Sequence, residues 1–149
     1  MPHIDYESEI MTAVVDGLDF FGAEIRAGAT WAKPVYREKE GLHSVAYEIV
    51  HYGIPYIPKD WMDRTLTETE RQGFSRGVRH LERLGLIVGF SRRSRVSHLQ
   101  PTPRGLEIGI ELFRRAGDQA DLEALDIALA AATWAGPEHR AALRLEVQA

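Results

Sequence analysis

Gln72, Arg76, Arg79 and Arg83 recur at spacings of four, three and four along the stretch RQGFSRGVRHLERLG. At 100° per residue this puts them on one side of a helix, with His80 at their edge. Phe74, Val78 and Leu81 fall nearly opposite, and Gly77 beside them allows close approach. A helix that buries the apolar set must expose the cationic one. Guanidiniums and an amide on an exposed helix suit a DNA major groove, where Arg reads guanine and Gln reads adenine, and the same guanidiniums can hold phosphates. An ordinary solvated face also carries charge, because Arg is a good helix former. The neighbouring SRRSR argues against that reading, since Arg92, Arg93 and Arg95 follow with no acid among them. Discouraging strand-edge pairing would explain one or two such charges more readily than three.

The charge is also uneven along the chain. Between Arg71 and Arg104 stand eight Arg and one acid, Glu82, a local net of +7 within 149 residues whose formal net charge is -4. Residues 1–70 sum to -7 and residues 105–149 to -4. An acidic protein with a basic middle implies a partner for that middle, nucleic acid or an acidic protein surface.

Other chemistry finds little support. With no Cys there is no disulfide framework, thiolate zinc site or thiol nucleophile. The six His stand in no metal-ligand spacing, no Gly-rich phosphate loop or GxSxG elbow appears, and Glu38 and Glu40 are explained by the start of a helix. Neither catalysis, a cofactor nor a metal is expected. No apolar run approaches the roughly 20 residues of a membrane span. MPHIDYESEI is acidic where a leader would be basic, so a cytoplasmic location is expected.

The positioning elements follow from periodicity and punctuation. Ile10, Val14, Leu18, Phe21 and Ile25 predict an amphipathic helix over 6–25 that ends near Gly28, weakened by Gly17 and Gly22. Pro34 lies in the connection. A second helix is expected over 40–51, with Leu42, Val45, Ala46, Ile49 and Val50 on a wide apolar face. HYGIPYIPKDWMDRT cannot be one helix and holds at most a short one opening at Pro58, with Trp61 and Met62. Thr67 to Glu70 fits a capping box for a helix over 68–84, with Gly85 as the left-handed residue beyond it. Strands are expected over 86–90 and 96–100, joined by SRRSR. Thr102 should cap a helix over 103–116, broken at Gly117-Asp118. A last long helix over 120–134 would place Leu122, Leu125 and Leu129 on one face, before Gly136-Pro137 and a terminal piece. ATWAKP at 29–34 recurs as ATWAGP at 132–137 without matching flanks, which fits two similar helix endings better than a duplication.

From Thr67 to Gly105, about 40 residues, this arrangement resembles the winged-helix DNA-binding module and is most similar to regulators of the multiple-antibiotic-resistance (MarR) type. Leu81-Glu82-Arg83-Leu84-Gly85-Leu86-Ile87 matches the phrase that closes their recognition helix. Leu99 and Thr102-Pro103-Arg104-Gly105 correspond to the phrase that leads out of the wing, with extra residues between Leu99 and Thr102. The resemblance implies a mostly α fold with a small β-hairpin wing, in a single domain over 1–149. Its DNA-binding lobe would span about 40–105, flanked by dimerisation helices over 5–28 and 103–147. It implies that Gln72, Arg76, Arg79, His80 and Arg83 face the major groove while Arg92, Arg93 and Arg95 reach the neighbouring minor groove. A homodimer, with the Leu122, Leu125 and Leu129 stripe expected at its interface, would hold two recognition helices about one DNA turn apart.

The expected function is sequence-specific binding of double-stranded DNA in transcriptional regulation. The alternative is a protein-interaction module, or an accessory factor in plasmid or phage replication and partition. A small-molecule effector pocket lined by Tyr36, Tyr47, Tyr52, Tyr56 and Trp61 would be compatible with the resemblance, but five aromatics over 26 positions fit core and interface packing better, and nothing names a ligand. His43, Tyr47 and His51 stand one helical turn apart and read as partly buried packing.

Overall fold

A computed structural model describes residues 4–28 and 41–148, with side chains over the same span except at 41–45, 92 and 144–148. The expectations for Pro34, Tyr36, Glu38, Glu40, the first ATWAKP and the side chains of Leu42, His43, Val45 and Arg92 therefore lie outside the described residues. Within them the chain is mostly helical, with one small antiparallel sheet. The order is α1 (Tyr6–Arg26), α2 (Gly41–His51), β1 (Ile54–Pro55), α3 (Pro58–Met62), α4 (Glu68–Arg83), β2 (Ile87–Arg92), β3 (Arg95–Pro101), α5 (Pro103–Arg115), α6 (Leu122–Ala131) and α7 (Pro137–Gln148).

Helix α1 is the axis of the molecule. Asp5 caps its first turn through a bond from the Ser8 amide, and Ile10, Met11, Val14, Val15, Leu18 and Phe21 are all buried along it. It packs on α4, α5 and α6. Gly22, a weakness by helix propensity, sits where α6 crosses. A Cβ there would stand 1.8 Å from the Ala124 carbonyl oxygen, so no larger residue fits the crossing.

This packing corrects one expectation. Leu125 and Leu129, expected to face a second copy, are buried within the chain itself, and Leu122 is partly buried against the same core. Their helix is also shorter than the 120–134 expected. It starts at the Asp121 cap, whose carboxylate accepts from the amides of Glu123 and Ala124, and it stops at an extended Ala132. The ATWAGP segment then turns back to close α2. The Thr133 amide and hydroxyl donate to the Val50 carbonyl, and the Trp134 indole N–H donates to the Ile49 carbonyl at 2.8 Å. These bonds satisfy carbonyls that the end of α2 would otherwise leave open.

The sheet order is β1-β3-β2. The two-residue β1 was not expected from the sequence; Ile54 pairs with Leu99 and Pro55 with His98. The hairpin also differs from a five-residue SRRSR loop. Arg92 pairs with Arg95, leaving a two-residue turn of Arg93 and Ser94 with φ of 51° and 66°. Consecutive left-handed residues suit a tight hairpin because their twist matches that of the strands. A register shift between Phe90 and Ser91 absorbs the extra residue. His98 is buried in β3 between Ser97, whose Oγ lies 2.8 Å from Nδ1, and Glu48 of α2, 3.3 Å from Nε2.

Candidate nucleic-acid interface

One short helix and the turn after it hold α4 in place. Pro58 opens α3, and Trp61 packs edge-on against both Tyr56 and Phe74, with ring centroids 5.6 and 5.9 Å away. Asp63, left-handed at φ 54°, ends α3. Arg64 then grips Glu70 with two nitrogens, at 2.8 and 2.5 Å. Glu70 also accepts from the Thr67 amide while Thr67 Oγ1 accepts from the Glu70 amide, the reciprocal capping box expected there. The Arg64 bond, seconded by the Thr67 amide, holds the Glu70 carboxyl well below its usual range, at about 2. One carboxylate thus fixes both the start of α4 and the turn before it.

The division of α4 into two faces is as the spacing predicts. Gly73, Phe74, Gly77, Val78 and Leu81 are buried, with the Tyr6 ring set edge-on against Phe74 at 4.9 Å. Gln72, Arg76, Arg79, His80 and Arg83 are exposed. The helix ends at Leu84, and Gly85 at φ 74° turns the chain into β2. Thr102 Oγ1 donates to the Gly85 carbonyl and caps α5 through the Gly105 amide, tying the exit of the hairpin to the end of α4.

The structure divides the expected residues between two hollows. Gln72 and Arg79 line a groove of about 900 Å³ between α4 and the hairpin, together with Arg95 of β3 and Lys59 of α3. Arg76, His80 and Arg83 border a smaller hollow of about 350 Å³ beside the start of α1, which contributes Asp5 and Glu7. Arg93 stands exposed at the hairpin turn. Two participants escaped the sequence reading. Lys59 carried a weak signal, as a cation just after a helix-opening Pro. Glu7 carried none, because its bond to His80 Nδ1 joins residues 73 positions apart.

The four described aromatics of the set do not form one cluster, in keeping with the packing reading preferred from the sequence. Tyr47, His51 and Tyr52 pack as tilted and edge-on rings, and Tyr52 reaches Phe90 and His98, whereas Tyr56 and Trp61 belong to the α3–α4 packing. Burial pushes the Tyr56 phenol up to about 12, so it stays neutral.

The distribution of ion pairs separates the arginines. Arg26, Arg64, Arg71, Arg115 and Arg140 each contact a carboxylate: Asp121, Glu70, Glu68, Glu111 and Asp126 respectively. Among the described residues, no carboxylate lies in ion-pair range of Arg76, Arg79, Arg83, Arg93 or Arg95. Arg79 has only the Ser75 hydroxyl, at 3.4 Å. Glu82, the one acid of the basic segment, accepts instead from the Gly89 amide at 3.2 Å. Because β2 is an edge strand, that bond covers an N–H that would otherwise invite another strand.

No family model, curated protein or solved structure matches the chain. The functional reading rests on the chain's own residues. Among the described residues no group of His, Asp and Glu is placed to hold a metal, and no helix is long and apolar enough to cross a membrane.

Proposed function

We propose that the chain is a winged-helix protein that binds double-stranded DNA, with α4 in the major groove and the β2–β3 hairpin on the flanking minor groove. The observation that carries this reading is the set of five exposed arginines, Arg76, Arg79, Arg83, Arg93 and Arg95, on two neighbouring elements of an otherwise acidic protein, none of which has a carboxylate in ion-pair range among the described residues. The nearby acids are engaged elsewhere: Glu7 by His80, Glu68 by Arg71, and Glu82 by the Gly89 amide at the strand edge. The succession of α2, β1, α3, α4 and hairpin, with β1 joining the sheet beside β3, is compatible with a winged helix.

Gln72, Arg79 and Arg83 are assigned to base edges, and Arg76, Arg93 and Arg95 to phosphates. His80, held by Glu7, would orient the flank of α4 rather than touch bases. A regulator of transcription acting as a homodimer is the fuller form of this proposal. Its dimer would use surfaces other than Leu125 and Leu129, which the chain's own core occupies.

The test is selection of a preferred duplex from a random pool, followed by titration of variants. Arg79→Ala should cost about 1 to 3 kcal/mol on the selected site and relax its sequence preference, whereas Arg93→Ala should weaken all duplexes alike. Selection of no sequence, with both variants binding as the parent does, would sink the assignment. Binding to acidic proteins but to no duplex would favour a protein-interaction module.

A further inference from the structure

Among the described residues His98 is the one ionisable side chain that the fold buries. It stands on β3, and its ring nitrogens meet two different partners: Nδ1 lies 2.8 Å from Ser97 Oγ, and Nε2 lies 3.3 Å from Glu48 Oε1 of α2. The Ser97 hydroxyl has a second partner, the Phe90 carbonyl of β2 at 3.3 Å. That carbonyl adjoins the register shift between Phe90 and Ser91, from which the arginine tip of the hairpin projects. Beyond Glu48, the titratable groups facing His98 are Tyr52, whose ring centroid is 5.4 Å away, and Tyr47 and His51 packed on Tyr52. Phe90 of β2 and Pro55 of β1 lie alongside and bring no charge.

The protons do not suffice for all three contacts unless the ring is charged. A neutral imidazole carries one N–H. Given to Glu48, it leaves Nδ1 to take the Ser97 proton, and the Phe90 carbonyl loses the hydroxyl. Placed on Nδ1 instead, it turns the Nε2 lone pair toward the Glu48 carboxylate. The imidazolium donates from both nitrogens, leaves the Ser97 proton for Phe90 and answers the carboxylate with a charge. Burial disfavours that cation, whereas the carboxylate and the two acceptors favour it.

We propose that His98 is a proton-operated tie between α2 and the hairpin. Charged, it joins Glu48, Ser97 and Phe90 and holds the hairpin in the form that presents Arg93 and Arg95. Neutral, it gives up the Phe90 bond, and the hairpin must be ordered by whatever binds it. Imidazole changes charge between roughly pH 5 and 8, so the tie is present at the acid end of that range and lost as pH rises. Its effect on DNA rests on the DNA-binding reading above, whereas the tie itself does not.

Nitrogen NMR of the histidine rings and hairpin amides, recorded on the free protein from roughly pH 8 to roughly pH 5, tests the tie. The expected result is a second ring proton on His98 as pH falls, with the Ser91 amide, which shares its peptide unit with the Phe90 carbonyl, shifting at the same midpoint. Glu48→Gln keeps an acceptor but removes the charge, and should move that midpoint to lower pH. Ser97→Ala should uncouple the Ser91 amide from the ring, and thermal melts establish that each variant is folded. Duplex anisotropy at constant ionic strength is then measured on a His80→Gln background, because His80 is itself an ionisable group on α4. Affinity should fall about tenfold from the acid to the alkaline end of the range, and Ser97→Ala should flatten that dependence. A His98 ring whose proton count never changes, a midpoint unmoved in Glu48→Gln, or a Ser91 amide indifferent to pH would overturn the tie. A titrating tie with constant duplex affinity would overturn its control of binding alone. A titrating tie in a protein that binds no duplex would uphold the tie and sink the DNA reading.

Discussion

Leu125→Ala separates two accounts of the α6 stripe. The amphipathic pattern alone allows Leu125 to face a second copy, in which case truncation dissociates a dimer and leaves the protomer folded. In the structure its side chain is wholly buried at the crossing of α6 on α1, beside Leu129 and Ala128. Removing a buried leucine side chain forfeits its transfer free energy and leaves a cavity, about 2 to 5 kcal/mol in comparable cores. A domain of this size has roughly 5 to 15 kcal/mol in all. At about 2 to 4 °C per kcal/mol, the melting temperature should fall by roughly 4 to 20 °C. Leu122→Ala, at a partly buried position, should cost visibly less. Urea unfolding gives the stability and sedimentation velocity the assembly state. An unchanged unfolding midpoint with a shift to a lighter species would place Leu125 between copies and refute the packing argument.

Two further perturbations have outcomes fixed by the geometry. Glu70 has a folded pKa depressed from 4.5 to about 2, so it contributes stability above the unfolded value that is lost as pH falls from about 4.5 toward about 2. The melting temperature of the parent should therefore exceed that of Glu70→Gln at neutral pH and converge with it near pH 2; a gap that persists unchanged in acid would show that the ionised carboxylate is not responsible. Gly22→Ala should improve helix propensity by about 1 kcal/mol, yet its Cβ would meet the Ala124 carbonyl oxygen at 1.8 Å. The close crossing predicts a lower melting temperature, and a higher one would mean the helices are not in contact there.

What the sequence revealed was what is local. The capping box at Thr67 and Glu70, the Thr102 cap, the Pro58 start and the left-handed Gly85 each need only a few neighbouring residues, and each stands where expected. The two faces of α4 were equally legible, because burial of Phe74, Val78 and Leu81 forces Arg76, Arg79 and Arg83 outward. The hairpin length was not. Arg93 and Ser94 adopt the left-handed conformation without the Asn-Gly signature that announces such turns. Nor was β1, since two residues ending in Pro show no alternation and pair only because β3 lies alongside. The leucines of α6 announced that they would be buried but not against what; that depended on α1, some hundred residues earlier. That no carboxylate among the described residues pairs with the α4 and hairpin arginines of the surface is likewise a fact of three dimensions. Glu82 might have neutralised them by sequence proximity, but its bond to the Gly89 amide turns it aside.

The central claim is that this arginine surface meets DNA. It is tested most directly by fluorescence anisotropy of the protein with random-sequence duplex across a salt series, beside a variant with Arg92, Arg93 and Arg95 neutralised. If Arg76, Arg93 and Arg95, the arginines assigned to phosphates, each displace counterions from one, log affinity should fall against log salt with a slope of about -2.7, roughly a 40-fold loss between 50 and 200 mM. The variant should bind more weakly and with a shallower slope. No binding at low salt, or equal slopes for the two proteins, would contradict the account.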